Sequence, residues 1–173
     1  MEPIGALPAT PSWGCWRAGR TEGRLIGGVL NRIVLAQATR YALPLERFDG
    51  AVLFWDEMGG QASHVWSYLQ VLRHSGILDR IVGMVVGVPY AIDGLDPPDA
   101  SPTLPEIVLD VLGGRDIPVL GNVEFGHAGP NLPMPFGIRI ALDTQQRTLS
   151  LLEPAVRPLT VTGPGGRLSN AVQ

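Results

Sequence analysis

The residues best placed to move a proton in this sequence are Asp56, Glu57 and His127. The two acids close the apolar run Leu53-Phe54-Trp55, and His127 follows Glu124-Phe125-Gly126 and leads into Ala128-Gly129-Pro130-Asn131. A histidine titrates near neutrality, so an imidazole on a loop held by a rigid sheet suits general-base work. A carboxylate beside it can fix the imidazole tautomer and stabilise the imidazolium formed in turnover. Adjacent residues of an extended segment point to opposite faces, so Asp56 and Glu57 cannot serve one site together. One can face a pocket while the other meets solvent or caps the next segment. An acid and a histidine are two members of a nucleophilic triad. The third is not evident, because none of Ser12, Ser63, Ser67, Ser75, Ser101, Ser150 and Ser169 lies in a G-x-S-x-G turn. On spacing alone the plainer account is a turn acid at a strand end and a loop histidine without chemistry.

Other chemistries find less support. His64 and His74 fall on or beside a helical segment and are expected to face solvent. Gly19, Gly23, Gly27 and Gly28, with Arg20 and Arg24, do not follow the strand-GxGxxG-helix order of a phosphate cradle. No H-E-x-x-H, paired cysteines or histidine-rich tract is present, so no metal and no cofactor are expected. Cys15 is the sole cysteine, which excludes an intrachain disulfide.

The elements that must position these groups follow from periodicity. The chain has 173 residues, enough for one domain with a real core. Its net charge is −3, all basic residues are arginine and no basic stripe occurs, so nucleic acid is not an expected partner. No run has the length of a membrane span and no signal peptide is evident, so a cytoplasmic location without membrane association is expected. Residues 1–22 read as an extended lead-in, with Gly27-Gly28 as a turn before a helix over 29–36. Strands are expected near 50–55, 81–88 and 117–120. Helices are expected over 63–74, where Val65, Leu69 and Leu72 mark one face, and over 105–112, opened by Pro105 and ended by Gly113-Gly114. Alternation over 136–142 and 148–152 predicts a hairpin, and residues 156–173 read as a flexible tail. This order argues for an α/β domain over 23–155: a mostly parallel sheet with flanking helices and an antiparallel hairpin at the edge. In such sheets sites form past the carboxyl ends of strands, where Asp56 and His127 both fall.

In order, these segments resemble the C-terminal domain of the LD-carboxypeptidase family of serine peptidases, which includes the microcin-immunity peptidases. Gly23-Arg24-Leu25-Ile26-Gly27-Gly28-Val29-Leu30 is similar to the family's G-R-L-x-G-G-N-L, and Leu53 to Glu57 to its L-F-x-E-[DE/ST] strand end. Gly76-Ile77-Leu78 with Ile81 to Gly87 resembles G-x-L-x-x-I-x-G-x-x-x-G. Ile117-Pro118-Val119, Phe125-Gly126-His127 and Leu132-Pro133 to Gly137 resemble I-P-[VI]…F-G-H…[LF]-P-[LI]-G. The match runs from about Arg20 to about Glu153, with Val29 where the family has Asn and Asp56 where it has Glu.

The resemblance implies a fold like that C-terminal domain and a triad assembled between two domains. His127 would be the base, Asp56 the acid, Glu57 the alternative acid, and the serine would come from a separate or upstream domain. It implies amide hydrolysis through an acyl-enzyme, on the tetrapeptide stems of muropeptides or on peptide-nucleotide conjugates. A homodimer is a possible assembly. The chain alone, lacking the nucleophile, is expected to be inactive. The alternatives are a non-catalytic peptide-binding module or a truncated gene product. If a nucleophile domain covers this face, apolar side chains should be exposed near His127, with Phe136, Trp13 and Trp16 as candidates and the lead-in packed loosely.

Overall fold

The computed structural model describes the backbone of residues 5–7 and, in full, residues 13–95, 102–128 and 131–156. The expected flexible tail lies almost wholly outside these residues. Among the described residues, eight strands form one sheet: β1 (Gly5–Leu7), β2 (Gly14–Arg17), β3 (Arg20–Val29), β4 (Ala51–Asp56), β5 (Gly83–Gly87), β6 (Val119–Val123), β7 (Arg139–Asp143) and β8 (Thr148–Leu151). Their order is β1-β8-β7-β3-β4-β5-β6-β2. The central strands β3 to β6 are parallel, and every pairing outside them is antiparallel. The hairpin β7–β8 is present as expected, but it lies beside β3 with β1 outside it, rather than at the edge itself.

Each parallel step is crossed by helix. Helix α1 (Leu30–Gln37) joins β3 to β4, α2 (Ala62–His74) and the single turn α3 (Ile77–Arg80) join β4 to β5, and α4 (Leu104–Leu112) joins β5 to β6. Val65, Leu69 and Leu72 form the buried stripe of α2, and Gly76, at φ +81°, takes the left-handed conformation just past its end. Helix α4 starts in a capping box. The Thr103 hydroxyl accepts from the Glu106 N–H, while the Glu106 carboxylate accepts from the Thr103 hydroxyl and N–H and is thereby held below the usual carboxylate range.

The two faces of the sheet differ. One packs Ile26, Leu53, Trp55, Met84, Val86 and Val119 against the helices. The other carries Leu25, Val52, Phe54, Val85 and Leu120, met by Ile140, Leu142 and Leu149 rather than by helix. The sheet curls over this second face: a Cβ on Gly83 of β5 would stand 2.8 Å from Thr21 of β3 and 3.3 Å from Leu142 of β7.

The lead-in departs from expectation. Arg20 already begins β3, so the 22–23 boundary falls inside a strand, and β2 extends the sheet beside β6. Trp13 is not an exposed apolar group; it is 1% exposed within the second face. Trp16 is half-buried against the helix-facing core, its indole lying over Gly121. The cause is that β6 would otherwise be an edge with an open apolar flank, which β2 and the two indoles cover.

Candidate active site

Asp56 is the last residue of β4, a strand in which every residue is buried. It lies in the middle of the parallel sheet, paired on one side with Val29 of β3. By alternation Phe54 and Asp56 share the helix-free face, whereas Trp55 and Glu57 turn to the helices. His127 reaches the same place by a less regular route. Strand β6 carries an extra residue relative to β5 between the pairings Val85–Leu120 and Gly87–Val123, with Asn122 at φ +55°. Such a bulge re-aims the chain that follows it. A tight turn then bonds the Phe125 N–H to the Val123 carbonyl at 2.7 Å.

The result is a contact of 2.5 Å between His127 Nδ1 and Asp56 Oδ2. The Asp56 side chain is 6% exposed and the His127 side chain 34%. His127 Nε2 has no hydrogen-bond partner among the described residues. Only glycine fits at position 126. Its φ is +102°, and a Cβ there would collide with the Asp56 carboxylate. Glycine 87 gives room from the other side, where a Cβ would stand 2.9 Å from the Asp56 Cβ. Phe125 supports the loop from beneath, edge-on to Phe54 at 5.7 Å, and Phe54 in turn meets Phe136 at 6.4 Å.

Glu57 is brought elsewhere. Its carboxylate, 3% exposed at the residue, accepts from the Asn31 N–H at 2.8 Å, the Asn31 side-chain amide at 3.1 Å and the Met58 N–H at 3.0 Å. It caps the N-terminus of α1, whose own cap position, Val29, offers no side-chain acceptor. His64 and His74 lie on α2, away from this contact, and no cluster of metal-binding side chains occurs among the described residues.

A buried acid thus meets a half-exposed histidine past the carboxyl ends of the parallel strands β4 and β6, in a chain that is similar to known proteins along most of its length. Residues 22–142 match the LD-carboxypeptidase C-terminal domain. The chain belongs to the LD-carboxypeptidase family. Among its relatives, the microcin self-immunity protein MccF of Escherichia coli is 27% identical over 137 residues, which is 79% of this chain and 38% of MccF. A Streptomyces coelicolor protein that carries a provisional carboxypeptidase name is 31% identical over 138 residues, 80% of this chain and 42% of its own length. The chain thus spans about two-fifths of the length of these curated relatives. The fold agrees with solved family structures. An apo inactive-mutant structure of MccF superposes with a TM-score of 0.73 at 24% identity over 86% of this chain and 43% of that one. The muramoyltetrapeptide carboxypeptidase of Oxalobacter formigenes does so with a TM-score of 0.66 at 24% identity, over 80% of this chain and 47% of that one.

Two polar residues of the site have no counterpart in the sequence reading. Asn31 is one, as the partner of Glu57. Asn131 is the other: its side-chain amide bonds Gly126 on both sides, accepting from the N–H at 3.1 Å and donating to the carbonyl at 2.8 Å. The only sequence signal for Asn131 is an asparagine after Gly129-Pro130 in a loop, which marks a turn without saying what it holds.

Proposed function

We propose that this domain supplies the acid and base of a serine peptidase that hydrolyses amide bonds in muropeptides or in peptide-nucleotide conjugates. The observation that carries the reading is the His127 Nδ1–Asp56 Oδ2 contact, with Nε2 left unpaired among the described residues. In this reading a serine from a second domain, upstream or on a separate chain, places its hydroxyl on Nε2. His127 takes the Oγ proton as Oγ attacks the carbonyl carbon, and Asp56 stabilises the imidazolium. The proton then passes to the leaving amine as the C–N bond breaks, which leaves an acyl-enzyme. Water attacks the ester with His127 again as base, and returning the proton to Oγ releases the acid. Glu57 has no part in the proton path, since its carboxylate is filled by the donors of α1 and of Met58.

The substrate class rests on relatives. MccF is named for microcin self-immunity and has been solved with aspartyl sulfamoyl adenosine, and the Oxalobacter formigenes enzyme is named for muramoyltetrapeptides. The exposed apolar side chains near the dyad support a covering domain. Phe136 is 57% exposed above Phe54, and Met58, in a bridge with half-exposed Tyr90 just past the end of β4, is itself partly exposed.

The burial of Trp13, which docks the lead-in on the sheet, favours a second reading, a module that binds peptide without cutting it. Mixing the chain with a separately expressed family serine domain and assaying L,D-peptide hydrolysis separates the two. Activity that His127→Ala abolishes supports the peptidase reading. Peptide binding by the chain alone, with no hydrolysis in the mixture, supports the module.

A further inference from the structure

We propose that Asn131 is a positioning residue that sets His127 against Asp56. This proposal rests on the peptidase reading for its consequence in catalysis, but not for its geometry. His127 lies outside every helix and strand, and with a third of its side chain exposed, packing alone does not fix the ring. The segment 124–128 has few holds. The Phe125 N–H turns back to the Val123 carbonyl, and the Leu132 N–H bonds the Glu124 carbonyl at 2.7 Å. Among the described residues, the only side chains that hydrogen-bond to this segment are Asp56, through the imidazole, and Asn131.

Asn131 grips the one residue whose placement matters to both partners. Its amide occupies the donor and the acceptor of Gly126, as a neighbouring strand would, and so fixes Gly126 in its left-handed conformation. Gly126 in turn abuts the Asp56 carboxylate so closely that a Cβ has no room, and its carbonyl carbon leads directly into His127. A drift of Gly126 therefore moves the acid's wall and the base together. At 2.5 Å the imidazole contact has little slack, and a shift of about 1 Å takes it out of hydrogen-bond range. Such a misplacement in an assembled active site costs about 100-fold in rate.

The test is the tautomer of His127 in the full chain, read from the ring nitrogen-15 shifts. His64 and His74 are assigned by their own substitutions. The unaltered chain is expected to hold one neutral tautomer, protonated on Nδ1 towards Asp56. Asn131→Ala should give a mixture of tautomers and loss of the slowly exchanging Nδ1 proton, while the amide spectrum beyond residues 124–132 and the melting temperature stay the same. Asn131→Asp keeps an acceptor for the Gly126 N–H but loses the donor to its carbonyl, and should fall between the two. With the serine domain added, Asn131→Ala should lower kcat about 100-fold with little change in KM.

An unchanged His127 tautomer in Asn131→Ala overturns the proposal. So does a change spread over the whole amide spectrum in both variants, which would make Asn131 a residue of the fold. A chain that shows the Nδ1 tautomer yet never gains hydrolysis with the serine domain removes the peptidase reading and leaves the role of Asn131 standing.

Discussion

Asp56 and Glu57 are neighbours, both acidic and both buried, and the structure gives them different partners on opposite faces of the sheet. Asp56 faces one side of the sheet and keeps, among the described residues, a single side-chain partner, the imidazole of His127. Glu57 faces the helices and is saturated, with an N–H and an amide from Asn31 and the N–H of Met58. The difference lies in what is left over. A carboxylate whose lone pairs are filled by structural donors holds a helix end in place. A carboxylate bonded to one imidazole is free to stabilise that partner through a change of charge. The alternation of one strand end is enough to divide the two roles.

The largest expected effect breaks the first of these roles. In the assembled peptidase, Asp56→Asn should lower kcat by about 10⁴-fold through loss of tautomer control. Its melting curve should barely move, because no helix depends on Asp56. A variant that loses its fold before its activity would mean that the duties of the two acids are reversed. Steady-state rates beside a thermal melt measure both.

The second prediction concerns the face that Asp56 occupies. Among the described residues no helix covers it, and Trp13 closes part of it from the strand-edge side. Trp13→Ala should destabilise the chain by about 3–5 kcal/mol. The urea midpoint should fall with the slope unchanged. A loss below about 0.5 kcal/mol, within the range of ordinary surface substitutions, would mean that the lead-in rests on the domain without completing it.

These two faces also show how much was legible beforehand. The buried strands β4 and β5, the faces of α2 and α4 and the β7–β8 hairpin follow from periodicity, because each buries a regular set of side chains. Asp56 and His127 stood out as polar groups just beyond apolar runs. Strand β3 did not, since its glycines read as turns. Yet Gly27 is there because β3 and β4 approach so closely that a Cβ would collide with the Phe54 carbonyl. Trp13 escapes the sequence pattern for a related reason. An indole in a Gly/Pro-rich stretch has no period, and only the open flank of β6 decides that it is buried. Asn31 and Asn131 act through single side-chain bonds to distant backbone, and no spacing rule encodes that.

Glu57→Gln tests the other member of the pair with a smaller effect. All of its partners are donors, so the new amide nitrogen must face one of them. With the helix cap weakened, stability should fall by about 2 kcal/mol. The slow Nδ1 proton of His127 should persist, because the contact to Asp56 lies on the opposite face. Its disappearance would show that the helix cap and the dyad are one unit rather than two.

The smallest effect expected is that of Asp56→Glu, which keeps the charge of the acid. One more methylene lengthens the reach of the carboxylate. In this chain the contact is already closed at 2.5 Å, and the space around the side chain is bounded by Gly126 on one side and Gly87 on the other. The longer acid must therefore fold back or push the histidine loop outward, and the bonds of Asn131 to Gly126 resist that movement. The expected outcome is a fall in kcat of about tenfold, equivalent to about 1.4 kcal/mol of barrier, with the fold intact. It should be measured together with Asn131→Ala in a double-mutant cycle. If the loop is what rejects the longer side chain, freeing it by Asn131→Ala should remove most of the additional cost of Asp56→Glu. The two losses would then be less than additive. Strict additivity would place the misfit at Gly87, in the floor of the site, and would leave the histidine loop out of the choice of acid.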